Sequence, residues 1–414
     1  MEYRQRPPAV LGIFVLTRAM AEKRKKQSSV NYDFLVLGAD GMQGRIVVRD
    51  LLEQGYSVFA ADLYKTKIQR IIRSYRGNQA VFAYVDLRDA QMAITIMTRA
   101  GADVVINCAD MEWNANVYRA CIETQTHCVD LGAWIEMTEE QIAMHDQFRK
   151  VQRTAITGCG SVPGIGNVML RHAAKKFDAI RSVDVGFAWD SNKKKFVVPF
   201  SMKSILEEFT YRPRMIKNGR WVHRRPLEVT REAHHRLIGS QKSFLVQHPE
   251  LHTFFHYFKK RGLENIRFFA GFPEHSLEKI HALIELGFHR EQKIPVEGVK
   301  IAPIDLLGPV FKHMRTPAGY TESENLWVEI NGVKDRRKKT ILMECIVPPI
   351  KGWEDAGCNI DTGFPAVIIA KMIKDGTIRS RGSFAPEAVV PEQLFFAELA
   401  EKKLEVYENG KKIN

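Results

Sequence analysis

Gly38, Gly41 and Gly44 stand in the run Gly38-Ala39-Asp40-Gly41-Met42-Gln43-Gly44, directly behind the apolar stretch Phe34-Leu35-Val36-Leu37. Each glycine has a separate use. The first lets the chain turn sharply, the second lets backbone approach a pyrophosphate, and the third lets a helix pack close on a strand. A helix that starts here offers free N–H groups and the positive end of its dipole to phosphates. Val58-Phe59-Ala60-Ala61 then reads as a second strand tipped by Asp62, whose carboxylate can accept from a ribose 2′-hydroxyl and would repel a 2′-phosphate. Together these predict a dinucleotide site made by Gly38, Asp40, Gly41, Met42, Gln43, Gly44 and Asp62. The alternative is a tight turn in an α/β sheet that binds nothing. Asp62 favours NAD; Tyr64, Lys65 and Lys67 just beyond it could hold a 2′-phosphate, so NADP is the alternative.

Strands alternate with helices at a steady rhythm after Asp62. Ala80 to Val85 reads as a third strand ending at Asp86, which faces the adenine end of the cofactor or caps the segment that follows. Val104-Val105-Ile106 runs into Asn107-Cys108-Ala109, and Cys128-Val129 into Asp130-Leu131-Gly132. Thr154 to Thr157 runs into a second glycine-rich turn, Gly158 to Asn167. Such a rhythm implies a parallel, doubly wound sheet with its ligands beyond the carboxyl ends of the strands. Asn107, Cys108, Ala109, Asp130 and Gly160 are therefore site candidates. Asn167 caps the next helix or touches substrate.

Beyond about residue 178 the texture is that of an antiparallel sheet with helices. Val197 to Ser201 reads as one of its strands, and Trp327 to Ile346 as a hairpin. His248, His252 and His256 recur every fourth residue, open to metal binding, substrate contact, proton transfer or burial. No carboxylate has obvious ligand spacing beside them, so no metal is assigned. Glu207-Glu208 with Tyr211, Arg212 and Arg214 forms a mixed-charge cluster, either plain surface or a carboxylate-binding pair of arginines. In the tail, Thr362-Gly363-Phe364-Pro365 precedes an apolar helix over Ala366 to Lys374. Gly382 to Glu387 reads as a turn, and the whole segment as folding back on the first domain.

The 414 residues carry a formal charge of +13, too many residues for one small core. Much of the positive excess sits in runs such as Lys23-Arg24-Lys25-Lys26 and Arg336-Arg337-Lys338-Lys339. No aromatic-studded basic strand accompanies them, so nucleic acid is not an expected partner. Six cysteines without zinc or C-x-x-C spacing suggest reduced thiols and a cytoplasmic home, and no apolar run is long enough to span a bilayer. The expected organisation is a disordered basic leader or a start assigned too early (1–30), a Rossmann domain (31–164), an α+β substrate or dimerisation domain with an antiparallel sheet (165–360) and a C-terminal segment (361–414).

The chain resembles the saccharopine dehydrogenase/reductase-like oxidoreductases. The resemblance rests on Val36 to Gly44, on Cys128-Val129-Asp130-Leu131-Gly132, on Val162-Pro163-Gly164-Ile165-Gly166-Asn167-Val168, and on Thr362-Gly363-Phe364-Pro365-Ala366 and Ala385-Pro386-Glu387 in the tail. It covers about Tyr32 to Val406. It implies hydride transfer at a C–N bond of an amino-acid substrate through an imine, in lysine metabolism or a neighbouring pathway, by a homodimer. Saccharopine is the first substrate expected; carboxynorspermidine dehydrogenase or lysine 6-dehydrogenase activity is the alternative, and a non-catalytic dinucleotide sensor or scaffold is the reading from another class. Within this frame Asp130 and His252 are the candidate bases. Arg212 and Arg214 are the candidate carboxylate clamp, and Asn167, His248 and Thr362 are further substrate contacts.

Overall fold

The computed structural model describes residues 31–75, 79–198, 201–314 and 316–414; the expected leader lies outside them. Phe34–Leu37 is buried at every position, as a strand covered on both faces must be. Its alternate residues enter two cores. Phe34 and Val36 pack with Ile46, Val47 and the tail residues Ile368 and Ile369, whereas Leu35 and Leu37 pack with Ala93, Met97, Val117 and Tyr118 on the other face. Full burial of one such side chain stabilises by about 1.5–3 kcal/mol, so the strand is anchored from both sides.

That strand is central in a sheet of seven parallel strands, in the order Gly382–Phe384, Thr154–Ile156, His127–Asp130, Val104–Asn107, Phe34–Leu37, Val58–Asp62, Ala80–Tyr84. The order reverses between Phe34–Leu37 and Val104–Asn107, which opens the crevice where doubly wound sheets bind ligands. Gly382–Phe384, expected as a turn, is the edge strand. A parallel edge strand forms only against a partner far away in sequence, here Thr154–Ile156, and three residues carry no periodicity of their own.

The second sheet has ten strands, with Ala179–Ser191 and Glu322–Lys334 paired antiparallel at its centre. It is mixed rather than purely antiparallel, because Asn265–Gly271 runs parallel to Ala179–Ser191. Residues 197 and 198 are not strand, and Ser201 instead caps the helix Met202–Thr210 through its Oγ. A serine before an amphipathic run is a helix start.

The tail is divided between the two sheets. Its helix starts at Ile360, before the expected Ala366, and carries Pro365 inside. It packs on the helix Met42–Glu53 and on Val104–Asn107. Burial around nearly all its circumference offsets the roughly 3 kcal/mol that an internal proline costs. Glu405–Glu408 then joins the second sheet against Arg337–Val347. Chain from the tail thus crosses the crevice and forms part of its wall. Among the described residues, no helix is long and apolar enough to cross a membrane.

Candidate active site

The first glycine turn is built for backbone contact. Gly38 has φ +70°, and a Cβ added there would lie 2.5 Å from the Ala109 nitrogen. A Cβ on Gly44 would lie 2.1 Å from the Gly38 carbonyl oxygen, so neither position accepts a side chain. The helix Met42–Glu53 begins at Gly41 with no side chain capping its first N–H groups. Those donors need partners, and a dinucleotide's pyrophosphate suits them. The chain's residues therefore fit a nicotinamide dinucleotide.

Beside this turn lies a groove lined by Asp40, Gly41, Met42, Arg45, Asp62, Tyr64, Lys67 and Gly308. Asp62 is fixed there: its Oδ2 accepts from the Asp40 N–H at 2.8 Å and its Oδ1 from the Tyr64 N–H at 2.9 Å. The Asp40 side chain also lines the groove and is held by the segment beyond Asp62. It accepts from the backbone of Lys67 and Ile68 at 2.6 and 2.7 Å and from Thr66 Oγ1 at 2.8 Å, which ties down the start of the helix Ile68–Ser74. Burial works against its charge, but these hydrogen bonds outweigh it and lower the Asp40 pKa. Asp86 lines neither this groove nor the cavity described below; Arg88 grips it, with Nε donating at 2.9 Å.

The second site element is a cavity of about 490 Å³ between the strand ends and the second sheet. The first domain contributes Gln43, Ala109, Leu131, Gly132 and the turn Ser161-Val162-Pro163; the second contributes Phe187, Trp189, Glu207, Glu208, Tyr211, His248 and Glu324; the tail contributes Asn359, Asp361 and Thr362. Gln43 Nε2 donates to Asn359 Oδ1 at 3.0 Å, and the Thr362 and Ser161 hydroxyls pair at 3.3 Å. The tail is thereby tied to both glycine turns. Gly160 abuts Thr362, whose methyl would lie 3.0 Å from an added Cβ.

Two of the cavity's acid–base groups, Glu208 and His248, face each other from the second domain. Burial pushes the Glu208 carboxyl up to about 7, with the charge of His248 pulling the other way. His248 stacks on Phe268 at 4.0 Å and hydrogen-bonds Glu250. Burial opposes its protonation, but Glu250 and Glu208 prevail and raise its pKa. A histidine and a carboxyl placed this way can exchange a proton with a bound ligand near neutral pH.

Several expected residues are engaged elsewhere. Asp130 is buried and accepts from Tyr118, Gln141, Gly132, Thr157 and Gly158, at 2.7 to 3.2 Å. With five donors on two oxygens it braces the strand ends from below and does not line the cavity. His252 pairs with Glu139 at 3.0 Å and stacks on His256, also outside the cavity. Arg214 is held by Glu136 at 2.5 Å and Gln247 at 3.0 Å, and Arg212 is exposed; neither lines the cavity. Asn107 Nδ2 donates to Asn114 Oδ1 at 2.8 Å and Asn107 Oδ1 accepts from Ala109, which shapes the turn through Cys108. Of the two uses weighed for Asn167, the structure shows the cap: its Oδ1 accepts from Gly164 N–H, and its Nδ2 donates to buried Glu387, each at 2.8 Å.

The sequence reading missed Glu324, Asp361, Trp189 and Ser161, and took Glu207-Glu208 for plain surface or a neighbour of arginines. Two of them had a signal: Ser161 lies in the second glycine-rich turn, and Asp361 is an acid beside the Thr362-Gly363-Phe364-Pro365 run.

Comparison with known proteins agrees with this geometry. Residues 34–156 match the model of the saccharopine dehydrogenase NADP binding domain, and residues 160–404 that of the saccharopine dehydrogenase C-terminal domain. The carboxyaminopropylagmatine dehydrogenase of Synechocystis sp. is 26% identical over 388 residues, covering 90% of this chain and 96% of that protein. The saccharopine dehydrogenase (L-Glu forming) of Saccharomyces cerevisiae shares the fold, with a TM-score of 0.72 at 15% identity over 93% of this chain and all of the other.

Proposed function

The chain belongs to the saccharopine dehydrogenase family and is an oxidoreductase of that family, and from that premise we propose that it exchanges hydride with NAD(P) at a C–N bond of an amino-acid substrate. The observation that carries the reading is the single cavity where both glycine turns meet Glu208 and His248 of the second domain. The cofactor, when bound, supplies the hydride acceptor or donor. The rest is work for the chain's own side chains. In the oxidative direction the substrate amine gives up one N–H proton and its carbon gives up a hydride, leaving a C=N bond, to which water then adds. His248 or Glu208 takes the proton. Phe187, Trp189 and Val162 wall the cavity with apolar surface that restricts water.

Asp62 at the groove supports NAD, because a fixed carboxylate repels a 2′-phosphate. A second reading, NADP, is favoured by Arg45 and Lys67 in the same groove. Saccharopine, lysine and carboxynorspermidine are the substrates to test, together with carboxyaminopropylagmatine, which the Synechocystis relative's name specifies. The same reading has the enzyme acting as a homodimer in the cytoplasm. Fluorescence titration with NADH and NADPH, then turnover at the nicotinamide absorbance, tests it. Binding with substrate-dependent absorbance change supports the proposal; binding without any change for all four substrates sinks it in favour of a sensor.

A further inference from the structure

The carboxyl groups of the cavity outnumber its one basic side chain, His248, which already faces Glu208 and Glu250. Glu207, Glu208, Glu324, Asp361 and Asp110 all line it, and among the described lining residues there is no lysine or arginine. A substrate presenting only carboxylates would meet like charge across the cavity. One of these acids is set apart by burial. Asp361 is 3% exposed, in the first turn of the helix Ile360–Lys374, where a negative charge is favoured. Its Oδ1 accepts from Thr362 Oγ1 at 3.0 Å. Its Oδ2 is buried with no backbone, amide or hydroxyl donor among the described residues, and its neighbour is the Glu324 carboxyl, itself pushed up by burial and by Asp361. Two carboxyls pressed together out of water need a proton or a cation between them. Among the described residues no three metal-ligating side chains converge to hold a metal ion there. A shared proton serves when the cavity is empty, and the positive group of a bound ligand can replace it. The aromatic rings of Phe187 and Trp189 in the same wall add faces on which such a cation is attracted.

We propose that Asp361 and Glu324 form a subsite for a cationic limb of the substrate, a protonated amine or a guanidinium. The subsite rests on the reading of this cavity as the substrate site. It assigns the enzyme to substrates that carry a positive limb besides the reacting nitrogen, and it gives the buried Asp361–Glu324 pair a charged donor in place of a shared proton.

The test uses the full chain with NADH or NADPH present and isothermal calorimetry with putrescine, agmatine and glutarate. Putrescine and agmatine are expected to bind, with glutarate not binding. Asp361→Asn and, separately, Glu324→Gln should each weaken the cations by about tenfold or more, as loss of one partner of a desolvated charge pair does, while thermal melting confirms that each variant folds. Tighter agmatine marks a guanidinium limb and tighter putrescine an ammonium limb, and either supports the subsite. Binding of glutarate alone, or cation binding that neither variant changes, overturns it. The two readings fail separately. Turnover of saccharopine without cation binding removes the subsite and keeps the oxidoreductase reading. Asp361-dependent cation binding with no turnover of any substrate does the reverse.

Discussion

The two ends of the crevice use charge in opposite ways. At the groove, two fixed acids, Asp40 and Asp62, sit among Arg45, Lys67 and uncapped helix N–H groups. In the cavity, acids stand without a lysine or arginine among the described lining residues. A groove rich in donors suits an anionic dinucleotide, and an acidic cavity suits a cation. The ends also differ in origin. The groove is made almost wholly by residues 40–67, with only Gly308 from elsewhere. The cavity joins side chains as far apart as Gln43 and Asn359. Backbone recognition is local; side-chain recognition is assembled.

The largest expected effect breaks the groove alone. Gly44→Ala places a Cβ against the Gly38 carbonyl, and cofactor affinity should fall by more than about a hundredfold, about 3 kcal/mol. Titration with NADH and NADPH would show it; unchanged affinity would mean that backbone approach is not what the turn provides.

A second prediction probes the acidic interior behind the cavity wall. Burial pushes the Glu387 carboxyl up to about 7, while the hydrogen bond from Asn167 pulls it down. The folded chain therefore keeps this proton up to about pH 7, whereas the unfolded chain loses it near 4.5. The folded state binds more protons in between, so stability from this group is full below about pH 4.5, falls as pH rises, and is gone above about pH 7. Glu387→Gln, whose amide oxygen still accepts from Asn167, should flatten that slope and stabilise the protein at pH 8 by about 2–3 kcal/mol. Urea melts across the pH range measure this; an unaltered slope would remove Glu387 from the account.

Cofactor choice gives a smaller effect. Arg45→Ala and Lys67→Ala should weaken NADPH by about tenfold each if a 2′-phosphate lies between them, and NADH by less than about threefold. Asp62→Ala should weaken NADH instead. The pattern across the three variants decides which dinucleotide the groove was built for. The smallest effect is expected at Arg214. Because Glu136 and Gln247 already hold it outside the cavity, Arg214→Ala should change KM by less than about threefold, and a larger rise would return a carboxylate clamp to the substrate model.

Legibility followed the reach of each interaction. The glycine turn and Asp62 were readable because a strand, a tight turn and a helix lie within thirty-odd residues and each imposes a residue type. Gly382–Phe384 was misread because only Thr154–Ile156, some 230 residues earlier, makes it a strand. Asp130 and Asn107 were correctly placed at strand ends, yet position alone does not say whether a side chain faces the ligand or the scaffold beneath it. Asp130 accepts from five donors, three of them side chains brought by neighbouring elements.

The amino-acid sequence by itself determined the alternation of strand and helix, the parallel sheet, the phosphate-binding turn and the family, since these follow from periodicity and local steric demands. Tertiary structure alone decided which acids enter the cavity, that the tail closes its wall, and that the two arginines stay out of its lining. Those outcomes depend on burial and on partners hundreds of residues away, and neither is a property of any local window of sequence.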